Sequence, residues 1–129
     1  MQPVKSVENV LEEIILDQFV KDAQIQSVSI VSKTGLMVAG KAAPASRAET
    51  FSAMAAIIFS SAESTRTDLL KDKVEYVVVV FKSTKMLIAE VSSSLLIVVT
   101  ADKAADNQTV LDDMQKVITR TKEELVWLR

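Results

Sequence analysis

Three strand-like segments follow one another in the second half of the chain with very short connections. They cover residues 74–82, 85–91 and 95–101 and are rich in valine, leucine and isoleucine, which favour strands. Residues 83–84 and residues 92–94 are all that separates them. Because a parallel crossover needs about a dozen residues or more, this spacing predicts an antiparallel three-stranded meander.

An earlier pair of strands is predicted on either side of Gly35. Residues 25–32 alternate between apolar and polar side chains and lead into Lys33 and Thr34, and residues 36–40 follow the glycine. Gly35 is one of only two glycines in the chain. A short hairpin turn commonly needs a positive φ, which glycine adopts without steric cost. The pattern therefore predicts a β-hairpin.

Three amphipathic helices complete the pattern, at residues 6–20, 46–71 and 106–128. The second is predicted to begin with a capping box, in which Ser46 and Glu49 satisfy each other's backbone donors. Apolar residues recur at helical spacings. They are Val7, Val10, Leu11, Ile14 and Ile15 in the first helix, Phe51, Ala55, Ile58, Ala62 and Leu69 in the second, and Val110, Leu111, Met114, Val117, Ile118, Leu125 and Leu128 in the third.

The order α-β-β-α-β-β-β-α predicts an α+β fold in which a five-stranded antiparallel sheet lies between two helix layers. Residues 77–81 and 95–99 are apolar at consecutive positions, so both faces of the sheet should be covered. We expect the long second helix on one face and the first and last helices on the other, an α/β/α sandwich. A chain of 129 residues fits one domain spanning residues 1–129.

Composition excludes several classes of function. The chain has no cysteine and no histidine, which removes thiol nucleophiles, imidazole bases and the common zinc sites. The net charge of -2 and the pI near 5.2 argue against nucleic-acid binding. The two glycines stand alone, so no phosphate-binding loop is present. We therefore expect no enzyme activity, no cofactor and no metal. Because the first residues are polar, we expect a cytoplasmic protein. No apolar run is long enough to cross a bilayer, so we expect no transmembrane segment.

Two patterns that suggest catalysis are weak. Lys33-Thr34-Gly35 spells one motif of the penicillin-interacting serine enzymes, but the Ser-x-x-Lys and Ser-Asp-Asn motifs that this chemistry also needs are missing. Paired carboxylates occur at residues 12–13, 112–113 and 123–124, where a solvated helix face is the simpler interpretation. A small enzyme or ligand-binding domain that uses surface carboxylates and lysines remains the alternative.

The element order, the hairpin at residues 28–36, the alanine-rich residues 53–56 and the terminal helix opened by Asn107 together resemble the roadblock/LC7 family. The resemblance implies a profilin-like fold with strand order 2-1-5-4-3. It also implies a dimer that acts as a non-catalytic scaffold or regulator of small GTPases or as a motor-complex subunit. One departure is that the family often has an acidic residue before the glycine, where this chain has Lys33 and Thr34.

The second helix also carries small residues on a second face, which predicts close packing against another helix. With a β-rich segment expected at the sheet edge, this predicts a homodimer. Its interface residues would be Ala53, Ala56, Ile57, Ser60, Ser64, Tyr76, Val78 and Val80. The paired second helices would form a platform for a small GTPase or another complex, with Arg47, Glu63, Arg66 and Thr67 as candidate partner contacts. A structural subunit without a nucleotide-dependent partner is a further possibility.

Overall fold

The structure is a computed structural model that describes residues 6–19, 23–41, 45–66 and 71–126. Its helices are α1 (Val7–Phe19), α2 (Ala48–Thr65) and α3 (Asn107–Glu124), and a short 3-10 turn, Ala45–Arg47, precedes α2. Its strands are β1 (Ile25–Ser32), β2 (Met37–Gly40), β3 (Val77–Val80), β4 (Thr84–Glu90) and β5 (Leu95–Asp102). The predicted order of elements is confirmed.

The five strands form one antiparallel sheet in the order β2-β1-β5-β4-β3. The central strand β5 pairs with β1 on one side and with β4 on the other. The short strands β2 and β3 lie at the two edges. The fold class and the strand order that the resemblance implied are therefore confirmed.

The helices cover the two faces of this sheet unequally. On one face α1 and α3 pack over a cluster of twenty buried apolar residues, among the described part of the chain. On the other face α2 packs over a cluster of seven. We call these the α1/α3 face and the α2 face. Side chains alternate between them along each strand: Leu87 belongs to the first cluster and Ile88 to the second.

The predicted glycine turn is present. Gly35 has a φ of +99°, and its N–H donates to the carbonyl oxygen of Ser32 at 3.0 Å. A Cβ atom on Gly35 would lie 3.2 Å from Cα of Ala53, so the hairpin turn touches α2. Glycine is needed here both for the turn and for this contact.

Helix α2 begins and ends differently from the prediction. The predicted capping box is wrong, because Ser46 lies inside the 3-10 turn and the N-cap residue is Arg47, which makes no side-chain capping hydrogen bond. The helix ends at Thr65, whereas the prediction extended it to Lys71. Lys71 has a φ of +54°, which ends any helical path. Leu69 lies outside the described residues.

The sheet-facing side of α2 is rotated from the predicted stripe. Its buried residues are Ser52, Ala55, Ala56 and Phe59. Of the predicted stripe, Ala55 is buried, while Phe51 and Ile58 are half-buried at the edge of the cluster. The largest buried side chain of the helix, Phe59, was not predicted.

Two further boundaries are corrected. Strand β3 covers four residues and not the predicted 74–82. The turn to β4 follows directly after Val80, and the residues before Val77 do not pair with β4. Helix α3 ends at Glu124 with Leu125 as its C-cap, before the predicted residue 128, which lies outside the described residues. Within the described ranges, none of the helices is both long and apolar enough to cross a membrane.

Candidate partner-binding surface

Of the eight exposed large apolar side chains in the described part of the chain, five lie on the outer side of α2 or around the edge strand β3. The other three are Leu16, Leu36 and Val126. Of the five, those on α2 are Met54 and Ile57, which are 54% and 57% exposed. Around β3 they are Tyr76, Val80 and Phe81, which are 44%, 59% and 49% exposed. Large apolar side chains that lie together on a surface commonly mark an interaction site. We call this set the α2/β3 surface.

The predicted small-residue stripe is only partly on this surface. Ile57, Ser60 and Ser64 are exposed, and the Ser64 hydroxyl donates to the Ser60 carbonyl oxygen at 3.1 Å. Ala53 is half-buried under the hairpin turn. Ala56 is only 8% exposed. A large side chain at position 56 would therefore disturb the packing of α2 on its own sheet before it met a partner.

Among the described residues, no strand pairs with the outer side of β3, and the side chains of β3 lie on both faces of the sheet. Val77 and Val79 pack against the α2-face cluster, whereas Val78 packs against the α1/α3-face cluster. Of the predicted β3 interface residues, Tyr76 and Val80 are exposed and Val78 is half-buried. An apolar, proline-free edge strand is a template for pairing with another strand.

Two grooves flank this edge. The α2-side groove has a volume of about 450 Å³ and is lined by Met54, Phe81 and other residues of α2 and β4. The α3-side groove has a volume of about 740 Å³, with Tyr76 on one wall and Leu111 and Met114 of α3 on the other. Both grooves therefore open next to β3.

The four predicted partner contacts do not form one cluster. Arg47 and Arg66 are both exposed but cap opposite ends of the 18-residue α2, about 28 Å apart at the helical rise. Glu63 is half-buried and lies 3.5 Å from Nζ of Lys33. Thr67 lies outside the described residues. Within one subunit the two arginines thus belong to separate sites.

Lys33 forms a contact network that the sequence did not predict. Its Nζ donates to Glu90 Oε1 at 2.8 Å, lies 3.5 Å from Glu63 Oε1, and is 5.8 Å from the centre of the Phe59 ring. The network ties together the β1–β2 turn, the end of β4 and the second half of α2. One hint in the sequence was that Lys33 is unusual for the family, because it stands where the family often has an acidic residue.

Four of the six paired carboxylates form hydrogen bonds or an ion pair with nearby groups. Glu12 accepts from the Gly40 amide, Asp113 from the Gln18 side chain and Asp112 from that of Gln108. Glu124 pairs with Arg120. No group of three or more histidine, cysteine, aspartate or glutamate residues within the described ranges is arranged to hold a metal.

The resolved pKa shifts of the described residues also belong to surface structure. The pKa of Asp106 is lowered, mainly because its carboxylate accepts from the Thr109 hydroxyl and amide at the start of α3. The pKa of Arg120 is raised by its hydrogen bonds to Glu124 and Asp17. Neither group sits in a cleft of the kind that catalytic groups with shifted pKa values occupy.

Within the described ranges, one lysine is buried, and its hydrogen-bond acceptors are a carbonyl and an amide oxygen. Its charge also interacts with the carboxylate of Asp106. Lys85 of β4 is 5% exposed and donates to the carbonyl oxygen of Ala105 and to Oδ1 of Asn107. These bonds attach the start of α3 to the sheet. The contacts satisfy a buried cation with oxygen acceptors, as burial requires, and therefore account for this lysine without a catalytic role.

Comparisons with solved structures identify the same architecture. A Roadblock/LC7 domain from Streptomyces avermitilis matches with a TM-score of 0.82 at 19% identity, over 89% of this chain and 97% of that one. MglB from Myxococcus xanthus matches with a TM-score of 0.76 at 11% identity, over 100% and 97%. Profilin II from Acanthamoeba castellanii matches with a TM-score of 0.53 at 15% identity, over 85% and 95%. At these identities the matches show the fold.

Sequence comparison shows the family. No curated protein matches this chain at a significant level. The family model described as the Roadblock/LC7 domain matches residues 11–101. This range includes most of α1, the whole of α2 and nearly the whole sheet. Because it is more than half of the sequence, the match confirms the family suggested by the hairpin and the element order, and the chain belongs to the Roadblock/LC7 domain family.

Proposed function

We propose that this protein is a non-catalytic regulator or adaptor that acts as a homodimer and binds another protein, in the leading case a small GTPase. The observation that carries the proposal is the uncovered α2/β3 surface. It combines a helix face with an open strand edge, and both features call for a protein partner. Membership in the Roadblock/LC7 family supports the same class of function.

The dimer contact would be isologous, so the same patch occurs on both subunits. Ile57 lies near the middle of α2, between Met54 on one side and the small side chains of Ser60 and Ser64 on the other. Two such helices can pack antiparallel, with the large side chains of one next to the small ones of the other. The β3 edges would then meet beside the helix pair.

This arrangement would also give the two arginines a common location. Antiparallel α2 helices centred near Ile57 place Arg47 of one subunit beside Arg66 of the partner subunit. Each end of the helix pair would then carry two exposed guanidinium groups. Such a pair of basic patches around an apolar centre favours a partner with acidic groups at matching positions, since charge complementarity directs encounter and orientation.

Dimerisation is tested by sedimentation equilibrium of the wild type, Ile57→Arg and Leu16→Arg. Leu16 is 55% exposed on α1, which matches the exposure of Ile57 on the other face. We expect a dimeric wild type, a monomeric Ile57→Arg variant and a dimeric Leu16→Arg variant. Burying two unpaired arginines near the axis should cost about 3 kcal/mol or more. A monomeric wild type would contradict the dimer.

The partner class is tested by capture from native lysate in the presence of GDP or of a non-hydrolysable GTP analogue. We expect wild-type protein to retain a small GTPase in one nucleotide state and the Ile57→Arg variant to lose it. Retention of the same proteins in both states would favour a structural subunit. Saturable binding of GTP or ATP by the purified chain, measured by calorimetry, would favour the enzyme or ligand-binding alternative.

A further inference from the structure

We propose that the α2-side groove is a binding site for a small amphipathic carboxylate, a ligand with one acidic group and one apolar chain. The groove runs beside the first half of α2 and reaches Phe81, which follows β3. Its volume of about 450 Å³ lies within the range of small-molecule sites, about 300–1,000 Å³. Its described walls belong to one subunit, so the site depends neither on the proposed dimer nor on a GTPase partner.

The α2 face of the sheet changes from apolar to polar beneath this groove. On three adjacent strands the side chains that face α2 are apolar toward one end of the sheet and carry hydroxyl groups toward the other. These rows are Val31, Ser29 and Ser27 on β1, Leu96, Val98 and Thr100 on β5, and Ile88, Met86 and Thr84 on β4. Thr100 pairs with Ser27 on one side and with Met86 on the other, so the hydroxyl groups lie at the same end. Two of these residues, Thr84 and Thr100, line the groove.

The groove is lined by basic and not by acidic side chains. Of the described residues that line it, only Arg47 and Lys85 are charged. Lys85 directs its Nζ away, to acceptors at the start of α3. Arg47 is exposed and takes part in none of the ion pairs between described residues. By contrast, Glu75, Glu90 and Asp112 line the α3-side groove. The α2-side groove therefore favours an anion, and a guanidinium can bind a carboxylate with two parallel hydrogen bonds.

The apolar part of the groove follows one side of α2. The helix residues that line the groove recur at spacings of three or four, and they are Arg47, Thr50, Phe51, Met54 and Ile58. They therefore lie along one side of the helix over about 16 Å, polar at its start and apolar beyond. Phe81 and Met86 also line this apolar part. Met54 and Phe81 are 54% and 49% exposed, and an apolar chain between them would remove that surface from water, which is favourable.

The separation of polar and apolar side chains sets the orientation of the ligand. The carboxylate lies at the polar end, where the guanidinium of Arg47 and the hydroxyl of Thr84 can donate hydrogen bonds to it. The apolar chain extends along α2 between Met54 and Phe81. A neutral ligand of the same shape would leave the guanidinium without its acceptor, so the acidic group should decide the affinity. Octanoate has this chemistry and serves as the probe.

The binding test compares octanoate with 1-octanol, which has the same chain length and no charge. Each is titrated into isotopically labelled wild-type protein, and the amide chemical shifts are followed by NMR spectroscopy. We expect octanoate to bind with a Kd of about 1 mM or lower and to shift the amides of Thr50, Thr84 and Thr100 most. We expect 1-octanol to bind at least about ten-fold more weakly. Equal affinity for the two probes, or shifts centred outside the groove, would overturn the proposal.

Two matched variants test the role of the charge. Arg47→Met and Arg66→Met each remove an exposed arginine, at opposite ends of α2. We expect Arg47→Met to weaken octanoate binding about ten-fold and to leave 1-octanol binding unchanged. Arg66→Met should bind both probes like the wild type. Equal losses in the two variants would show a nonspecific attraction between charges and would overturn the site.

Sedimentation of the same samples separates this proposal from the dimer. Octanoate binding that is the same in monomeric and dimeric samples supports the site. Binding that occurs only at dilutions where the subunits separate would show that a second copy covers the groove, and the ligand site would fail while the dimer stands. A monomeric wild type that binds octanoate as expected would contradict the dimer and retain the site.

Discussion

The two faces of the sheet differ in the size of their buried clusters and in the contacts that hold their helices. The α1/α3 face has the larger buried cluster, and its helices are linked by the Gln18–Asp113 hydrogen bond and the Arg120–Asp17 ion pair. The α2 face has a smaller cluster, and α2 is held to the sheet chiefly through Phe59 and the Lys33 network. The α1/α3 face is thus nearly complete in one subunit.

The difference also extends to the ends of the helices. Asp106 caps α3 with its side chain, while α2 starts at Arg47 without a side-chain cap. A side-chain cap at a helix start contributes about 1 kcal/mol to stability. Helix α2 is therefore the less stabilised layer, and it carries the exposed side chains of Met54 and Ile57. The chain thus forms the larger part of its core on the α1/α3 face. The proposed binding surface lies on the less stabilised α2 layer, and binding elements commonly come from less stable regions.

The largest expected loss of unfolding free energy comes from substituting two adjacent residues of β4, Leu87 and Ile88. Both are fully buried, the first on the α1/α3 face and the second on the α2 face. Substitution of a buried leucine or isoleucine by alanine costs about 2–5 kcal/mol. We expect Leu87→Ala near the upper end of that range and Ile88→Ala near the lower end, because the thinner α2 layer can relax into the cavity. The measurement is urea unfolding of the two variants.

Urea unfolding of these two variants also tests whether the two faces differ in rigidity. Equal losses of unfolding free energy would show that the smaller cluster under α2 is packed as rigidly as the larger one. Each loss must also be measured at several protein concentrations, because the proposed dimerisation would add a concentration-dependent term to stability. A difference that persists at high dilution belongs to the subunit alone.

The sequence predicted the fold well because the fold depends on local patterns. Short connections fixed the meander, and Gly35 fixed the hairpin. The ends of α2 were harder, since Ser46 and Glu49 have the spacing of a capping box but Ser46 is taken up by a 3-10 turn. The predicted sheet-facing stripe of α2 was displaced by about one residue from the residues that are buried. The buried face of the helix is set by contact with the sheet, and an alanine-rich helix gives a weak periodic signal for that contact.

The candidate site was less predictable for a related reason. Ile57, Tyr76 and Val80, which were predicted as interface residues, are exposed. Ala56 was predicted with them, but it is buried because of how α2 packs in three dimensions. The contacts of Lys33 with Glu63 and Glu90 join residues far apart in sequence. No local sequence pattern predicts a contact between residues so far apart in the chain.

An intermediate effect is expected from Lys33→Met, which removes the network on the α2 face. Networks of partly exposed ion pairs contribute about 1 kcal/mol or less. We therefore expect a loss of about 1 kcal/mol in unfolding free energy, with faster amide hydrogen exchange in α2 and little change in α3. Lys103→Met is the control, because Lys103 is exposed in the β5–α3 loop. Equal exchange in both helices would show that Lys33 does not stabilise the α2 layer specifically.

The smallest expected effect concerns the cap of α3 and depends on pH. The Asp106 carboxylate accepts from the Thr109 amide and hydroxyl at 2.9 and 2.8 Å, and these bonds lower its pKa in the folded protein. A carboxylate at a helix start also interacts favourably with the helix dipole. Asparagine at position 106 keeps an oxygen acceptor but has no charge to titrate.

Because the folded-state pKa of Asp106 lies below its unfolded value of about 3.9, its charge stabilises the folded state fully above that value. The stabilisation is lost as the pH falls through the folded-state pKa. Wild type should therefore be slightly more stable than Asp106→Asn at pH 6, and the difference should shrink below about pH 4. Comparing the two proteins by urea unfolding at each pH cancels the titration of the other carboxylates. A difference that stays constant from pH 6 to pH 3 would show that the charge of Asp106 does not contribute, and the greater stability of the α3 layer would then rest on burial alone.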